Sequence, residues 1–452
     1  MVERSHEALW EASRSAISSA LKNSGTAPRD IRAIGITGHG DGLHLVGRRH
    51  EPVGQAIMAV DSRAWREMEE ILADAERSAE LLQLTGQVPF LGSPGILLKW
   101  IATNRPQDVE AAHAFLSCKD VLRNRLTGDI GTDFSDASAS FLDVDQASWS
   151  SRAMELYGLH GLEHLLPPVH RSLDVVGEVT ATAAELTGLS AGTPVVAGSH
   201  DVHAATLGMG ALVPDMLSLV AGSFSINGVV TTNTSTDARW QSRLSLEPPM
   251  RIAMSTSATA TTSLEWVLRT LGVESESVRD ELFAQAAAIV PRADYPMLVP
   301  YLFASPFGEK PSGTFIGLRS WHRAADVLRA SLEGIVLMHA WHTRALSESF
   351  SWSADTRLGG GLARSELYSQ LVANALDTRV EVVSHDETGA FGAAAMAAVG
   401  SGFLGSLEDA GGRVSVERVH EPEEDQRAYW HDRLAKFDQL HEALSDVWNS
   451  WG

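Results

Sequence analysis

Three consecutive glycines, Gly359 to Gly361, separate a short apolar stretch ending at Leu358 from a helical pattern beginning near Ser365. Leu367, Leu371, Val372, Ala375 and Leu376 recur at the three-to-four spacing of one apolar helix face. A strand that passes through a glycine turn into a helix is the repeating unit of an α/β fold, because the helix buries its apolar face on the sheet. With no Cβ atoms at the turn, a flat ligand can rest on the main chain. The helix N-terminus behind it favours a nucleotide or another anion. No Gly-Lys-Ser/Thr follows, and the spacing is not Gly-x-Gly-x-x-Gly, so neither common phosphate fingerprint applies. An ordinary glycine-rich surface turn is the alternative.

The same alternation runs along the whole chain. Periodicity predicts helices over 6–21, 61–75, 96–104, 183–187, 202–209, 263–271, 278–289, 324–350 and 390–399, and strands over 31–37, 194–198, 217–225, 357–358 and 380–383. A chain of 452 residues exceeds one core. Two domains, 1–212 and 213–452, are expected, because the pattern restarts near Pro214. Hydrophobic residues make up 44% and charged residues 21%, a globular balance. No apolar run is long enough for a bilayer and the first residues are no signal peptide, so a cytoplasmic protein with no membrane partner is expected. A net charge of -21 opposes nucleic-acid binding. The single cysteine, Cys118, excludes a disulfide framework and a cysteine-based zinc cluster, and no metal-ligating residue is assigned.

Four further clusters carry chemistry. In 194–204 an apolar strand ends in Gly-Ser-His, and Asp201 stands where a helix begins. Asp201 there is either a helix N-cap or a general base held at a strand end, and the two roles are compatible. His200 and His203 flank it but offer too few ligands for a metal. Gly222 and Ser223, in a small-residue turn after a strand, can present amides and a hydroxyl to phosphates, or form a plain tight turn. Gly38 to Gly42 brackets His39, Gly40 and Asp41, a turn able to hydrogen-bond a polyol. Asp61 and Arg63 add a carboxylate and a guanidinium, with a helix N-cap and a solvated first-turn residue as their plain readings.

In this order the pieces resemble the FGGY carbohydrate kinases, in the branch of xylulokinase and related pentulose kinases. The most specific match is Gly313-Thr314-Phe315-Ile316-Gly317-Leu318, seven residues, then Asp326 through Glu333 to Gly334, which is similar to the family's second signature. These signature residues read as more structural than catalytic. The resemblance covers nearly the whole chain and implies an actin-like, ribonuclease-H-like two-domain α/β fold with a cleft between domains. It implies a sugar site at His39, Gly40, Asp41, Asp61, Arg63 and His200, with Asp201 as catalytic base. It implies ATP with Mg²⁺, bound through Gly222, Ser223, Gly359, Gly360, Gly361, Ser365 and Asn374, with Gln370 nearby. Phe391-Gly392-Ala393-Ala394 resembles the closing Leu-Gly-Ala-Ala helix. A homodimer is the family's habit. His39, Gly40 and Asp41 stand where D-xylulose kinases have Gln-Met-His, which points toward L-xylulose, another ketose or a short polyol such as erythritol.

One departure matters. The family opens with a strand carrying Asp-x-Gly-Thr, which holds Mg²⁺ and the terminal phosphates, and residues 2–10 instead resemble the segment that follows the family's first three strands. Without those strands, 31–37 would present an unpaired apolar edge, and Ala33, Ile34, Gly35 and Ile36 carry no guarding charge or proline. The expectation is therefore a late start or fragment of a longer polypeptide. The rival readings are a relative that binds sugar or nucleotide without phosphoryl transfer, and a non-enzymatic actin-like protein.

Overall fold

The computed structural model describes residues 1–290, 292–303, 305, 308, 310–353, 355–384 and 387–451. The chain forms two compact units, and it crosses between them more than once. The first unit is Met1–Leu212, Val230–Ala253 and Glu387–Arg413; the second is Val213–Val229, Met254–Asp386 and Val414–Gly452. Two segments from beyond residue 212 thus return to the first unit, which a single boundary in the sequence does not convey. No helix of the described residues is long and apolar enough to cross a membrane.

The first unit opens with helix His6–Ser24, capped by Ser5 and ended by Gly25 in the left-handed region. Its Trp10 packs with Leu126, Val179 and Val195. An antiparallel sheet runs in the order Glu3–Arg4, Pro52–Ile57, Leu43–Val46, Ala114–Leu116. Beneath it Leu43, Ile57, Leu81, Leu97, Phe141 and Tyr157 form the main core.

The expected strand over 31–37 is interrupted. Ile34 makes an isolated parallel bridge with Val195, and only Thr37–Gly38 pairs regularly, with Ser199–His200. Gly198, at φ 76°, breaks the ladder: a Cβ there would lie 1.9 Å from the Ile36 carbonyl. The amides of Ala197 and Gly198 turn instead to Asp174 and Ser172. The helix expected over 61–75 is two: Trp65–Leu72, then Ala75–Thr85, because Asp74 caps the second by accepting from the Arg77 amide at 3.1 Å.

In the second unit Ser225–Thr231 runs antiparallel to Leu217–Ala221. The latter is parallel to Asp355–Gly359, which is parallel to Arg379–Val383, and Val416–His420 closes the row antiparallel. Helix Ala324–Ser347 is buried along most of its length. The signature acids in it serve the fold. Asp326 accepts from the Arg323 amide at 2.7 Å and the Tyr295 hydroxyl at 2.6 Å. Glu333, fully buried, meets Arg329 at 2.9 Å, Arg433 at 3.0 Å and the Tyr429 hydroxyl at 2.7 Å. Gly334 lets this helix touch strand Met297–Val299, since a Cβ would lie 2.3 Å from the Leu298 carbonyl.

Candidate functional site

In the first unit, helix Asp201–Gly208 begins at the end of strand Ser199–His200. His200 is the N-cap and Asp201 the first helical residue, so the capping role expected for Asp201 falls one residue earlier. The Asp201 side chain is 48% exposed, and its Oδ1 lies 3.0 Å from His200 Nδ1. The Val202 amide donates to Asp201 Oδ1 at 2.8 Å and approaches His200 Nδ1 at 3.2 Å. Neutral His200 accepts the Val202 amide through Nδ1 and caps the helix; protonated, its Nδ1 donates to the Asp201 carboxylate, and the amide keeps its bond to Oδ1. Burial opposes the charged forms of both groups, but their mutual attraction wins: Asp201 is held below and His200 above its ordinary value.

His200 joins Asp201 to the turn at 38–42. Its Nε2 lies where a Cβ on Gly40 would stand, 1.7 Å away. Glycine at position 40 is therefore a packing requirement of the imidazole. Asp41, at φ 59°, pairs with buried Arg243 at 3.0 Å, and Arg243 also donates to Gln87 Oε1 at 3.3 Å. His39 is half-buried, with its Nδ1 3.4 Å from the Gly40 carbonyl.

Below this turn lies a buried ionic cluster. Lys119, fully buried, sits 2.6 Å from Asp120, 2.9 Å from Asp133 and 3.1 Å from Asp136. Arg123 reaches Asp120 at 2.9 Å. Burial opposes charge on Asp133, but Lys119 and the hydroxyls of Ser172 and Ser135 bring it down to about 2. Asp136 is held above its ordinary value, first by burial. Ser135 links cluster to site: its Oγ donates to Asp133 at 2.7 Å and accepts from the His200 amide at 2.9 Å. Lys119 thus acts through Asp133 and Ser135 on the residue that orients Asp201.

Asp61 and Arg63 are placed otherwise. The guanidinium grips the Asp61 carboxylate through two bonds of 2.8 Å, and Asp61 also accepts from the Val2 amide. Arg63 reaches Glu3 at 2.6 Å and lies over Trp100. Burial resists ionisation of Asp61, yet Arg63 and the backbone donors bring it down to about 2. Both charges are spent within the fold, and Asp61 caps no helix, since the nearby helix starts at Trp65.

In the second unit the two glycine turns stand side by side. A Cβ on Gly360 would lie 2.7 Å from the Ala221 carbonyl and 3.0 Å from the Gly222 amide nitrogen. The Gly222 carbonyl accepts from the Thr261 amide at 2.9 Å, and the Ser223 carbonyl from the Thr262 hydroxyl at 3.1 Å, at the start of helix Thr261–Thr270. Gly359 ends a central strand, Gly361 opens a single turn, and Ser365 caps helix Glu366–Leu376 through the Tyr368 amide. Gly361, Ser365, Thr261, Glu265 and Phe283 border a cavity of about 800 Å³, room enough for a nucleoside. Asn374 faces elsewhere: it accepts from the Glu423 amide at 2.8 Å and donates to the Glu423 carboxylate at 2.9 Å. Gln370 donates to Asn374 and to the Glu421 carbonyl.

Gly360 combines φ 95° with this close approach, so a side chain there is strained and clashing at once. The resemblance noted above implies ATP on this turn and a sugar elsewhere, so Gly360→Val is expected to raise the ATP KM at least about tenfold while leaving the sugar KM within about twofold. Steady-state kinetics with each substrate varied checks this, and an unchanged ATP KM would detach the glycine turn from the nucleotide.

Sequence reasoning missed Lys119, Asp133, Asp136 and Arg243. Their signal is faint: charged residues inside stretches that become buried, at no fixed spacing from the motifs they support.

The first 208 residues match the model of the FGGY family of carbohydrate kinases, N-terminal domain, and residues 217–401 match that of its C-terminal domain. The L-xylulose/3-keto-L-gulonate kinase of Escherichia coli is 31% identical over 412 residues, spanning 90% of this chain and 82% of that protein. A probable L-xylulose kinase of Pasteurella multocida is 28% identical over 98% of this chain and 90% of that protein. The xylulose kinase from Rhodospirillum rubrum superposes with a TM-score of 0.88 at 25% identity, over 99% of this chain and 91% of that one. The chain has the two-domain, actin-like fold of this family, and the glycine turns and Asp201 fall within the matched regions. The chain belongs to the FGGY family of carbohydrate kinases, phosphotransferases that act on a sugar alcohol group.

Proposed function

We propose that this chain phosphorylates a hydroxyl of a ketopentose or small polyol, an L-xylulose type of substrate, using MgATP, with Asp201 as general base. The observation that carries the reading is the Asp201 carboxylate: exposed at a helix start, ionised by His200, and next to the turn of His39, Gly40 and Asp41. A base within reach of the reacting hydroxyl takes its proton as the oxygen attacks the γ-phosphorus and ADP leaves. Phosphoryl transfer asks little covalent work of the protein beyond positioning and charge neutralisation. His39 and Asp41 would hydrogen-bond the sugar, and Arg243 would fix the Asp41 carboxylate that does so. Gly222 and Ser223 would meet phosphates, and Gly359 to Gly361 with Ser365 would seat adenosine. Asn374, held by Glu423, would support that seat from behind. Asp61 and Arg63 would brace the sugar side. The sugar belongs to residues 1–212 and the nucleotide to residues 213–452. The family's habit adds a cytoplasmic setting and a homodimer.

Two of the relatives are named for L-xylulose, and one also for 3-keto-L-gulonate. The turn His39-Gly40-Asp41, with its buried arginine partner, supports that choice over D-xylulose. The test is ADP release by the full chain with MgATP and L-xylulose, D-xylulose, 3-keto-L-gulonate or erythritol. L-Xylulose is expected to exceed D-xylulose by roughly tenfold or more in kcat/KM. No ADP release above the sugar-free rate with any of them would sink the proposal.

A further inference from the structure

The proposed reaction uses His39 on the sugar side and assigns nothing to its buried neighbours His44 and Cys118. His39, His44 and Cys118 each bring one ligand atom, two ring nitrogens and a sulfur, to within 4.8 Å of one another. The fold makes this convergence. Strand Leu43–Val46 pairs with Ala114–Leu116 so that His44 stands opposite Leu116, two residues before Cys118. Cys118 opens helix Cys118–Thr127. The turn carrying His39 passes that helix start closely, since a Cβ on Gly38 would lie 3.5 Å from Cys118 Cβ and 3.1 Å from the Lys119 amide nitrogen.

Within the group, His44 is short of both its partners. His44 is 1% exposed and Cys118 3% exposed. Among the described residues neither ring nitrogen of His44 has a hydrogen-bond partner, and His39 Nε2 has none. Buried polar atoms are normally paired. Other fully buried histidines keep one ring nitrogen bonded, His203 to the Leu244 carbonyl at 3.0 Å and His339 to Asn227 at 2.7 Å, with the second nitrogen unpartnered, whereas His44 bonds through neither. His6 stands edge-on to His44 with ring centroids 5.0 Å apart, and its Nε2 is also unpartnered.

We propose that His39, His44 and Cys118 form a binding site for a divalent cation of the zinc class. Around such an ion, bonds of about 2.0 Å to nitrogen and 2.3 Å to sulfur place ligand atoms roughly 3.3–3.8 Å apart, so small side-chain rotations close the set. Nitrogen and sulfur donors favour this class over Mg²⁺, which takes oxygen. The site is therefore separate from the Mg²⁺ that accompanies ATP. On binding, the thiol gives its proton to solvent and the thiolate bonds the metal, with no change of oxidation state. The lone cysteine, which argues against a cysteine-rich zinc cluster, suffices for this mixed set.

That same cysteine makes the test clean, because it is the only one in the chain and any thiolate–metal signal belongs to it. Co²⁺ added to the purified full chain is expected to bind one equivalent with a near-ultraviolet thiolate-to-metal charge-transfer band, displaced by Zn²⁺. Cys118→Ser should abolish the band. His44→Gln should weaken Zn²⁺ binding by more than about 100-fold, beyond what loss of an outer-shell partner costs. X-ray absorption on the zinc-loaded unaltered protein gives an answer even where a variant fails to fold, with one sulfur expected at about 2.3 Å. A shell of nitrogen and oxygen only, a band that survives Cys118→Ser, or no stoichiometric uptake overturns the proposal.

Discussion

Asp201→Asn is expected to lower kcat by about 10²–10⁴-fold while the sugar KM stays within about threefold, the loss typical of removing a general base. The amide keeps the shape and the contact with His200 but cannot take the proton. Single-turnover measurements of sugar phosphate in the full chain check this, and a near-normal rate would remove Asp201 from the reaction. The pH profile adds a second readout. Asp201 lies below the ordinary 3.8, so it is ionised throughout the neutral range. His200 lies above the ordinary 6.5. As pH rises through that raised value, His200 loses its charge and Asp201 becomes a stronger base. The rate should therefore climb on the alkaline side of 6.5, and His200→Asn should flatten the climb. Stability moves oppositely. The gain from charged His200 is full below 6.5 and lost as pH rises through its folded value. The gain from Asp201 is full above 3.8 and lost as pH falls through its own. The pair thus stabilises the fold most between those limits, where it restrains the base most.

Lys119→Met is expected to cost about 3–5 kcal/mol of folding stability, since it strands Asp133 and Asp136 in a buried site, while Asp120 keeps Arg123. That is a large share of a typical domain's stability of roughly 5–15 kcal/mol. The exposed pair of Arg152 and Glu80 makes a contrast: both side chains are near half exposed and solvent screens them, so its loss should leave the unfolding midpoint nearly unchanged. Urea unfolding at neutral pH measures both. In Lys119→Met the stranded carboxylates bind protons more readily folded than unfolded, so stability should recover as pH falls. A loss below about 1 kcal/mol, or no recovery in acid, would mean that Lys119 does not neutralise the cluster.

The sequence made the parts of the site legible where chemistry restricts residue type. Gly360 must be glycine because its φ and the Ala221 backbone exclude a side chain, and Asp201 stands where the sequence placed it, at a helix start just after a strand. Partnerships were less visible. Asp61 read as a helix cap or a sugar ligand, whereas Arg63, two residues on, takes its carboxylate. Asn374 lies on the expected helix, yet its amide meets Glu423, which no local pattern announces. Lys119 and Arg243 are ordinary charges in the sequence, and only burial against acids from distant segments gives them a role. The expected strand over 31–37 failed at Gly198, on the partner segment, where no periodicity count of 31–37 could detect it.

Helix Asp201–Gly208 lies against helix Thr388–Gly400 with main chain facing main chain. A Cβ on Gly392 would stand 1.9 Å from the Ala204 carbonyl, one on Gly208 1.9 Å from that of Thr388, and one on Gly35 1.8 Å from that of Ala393. Contact of this kind has no side-chain rotamers to yield, so the two helices form one stiff lever. Any displacement of Asp201 is therefore imposed on both helices together. Selection on the position of Asp201 is thereby spread to small residues far from it along the chain, which would record constraint without ever touching substrate.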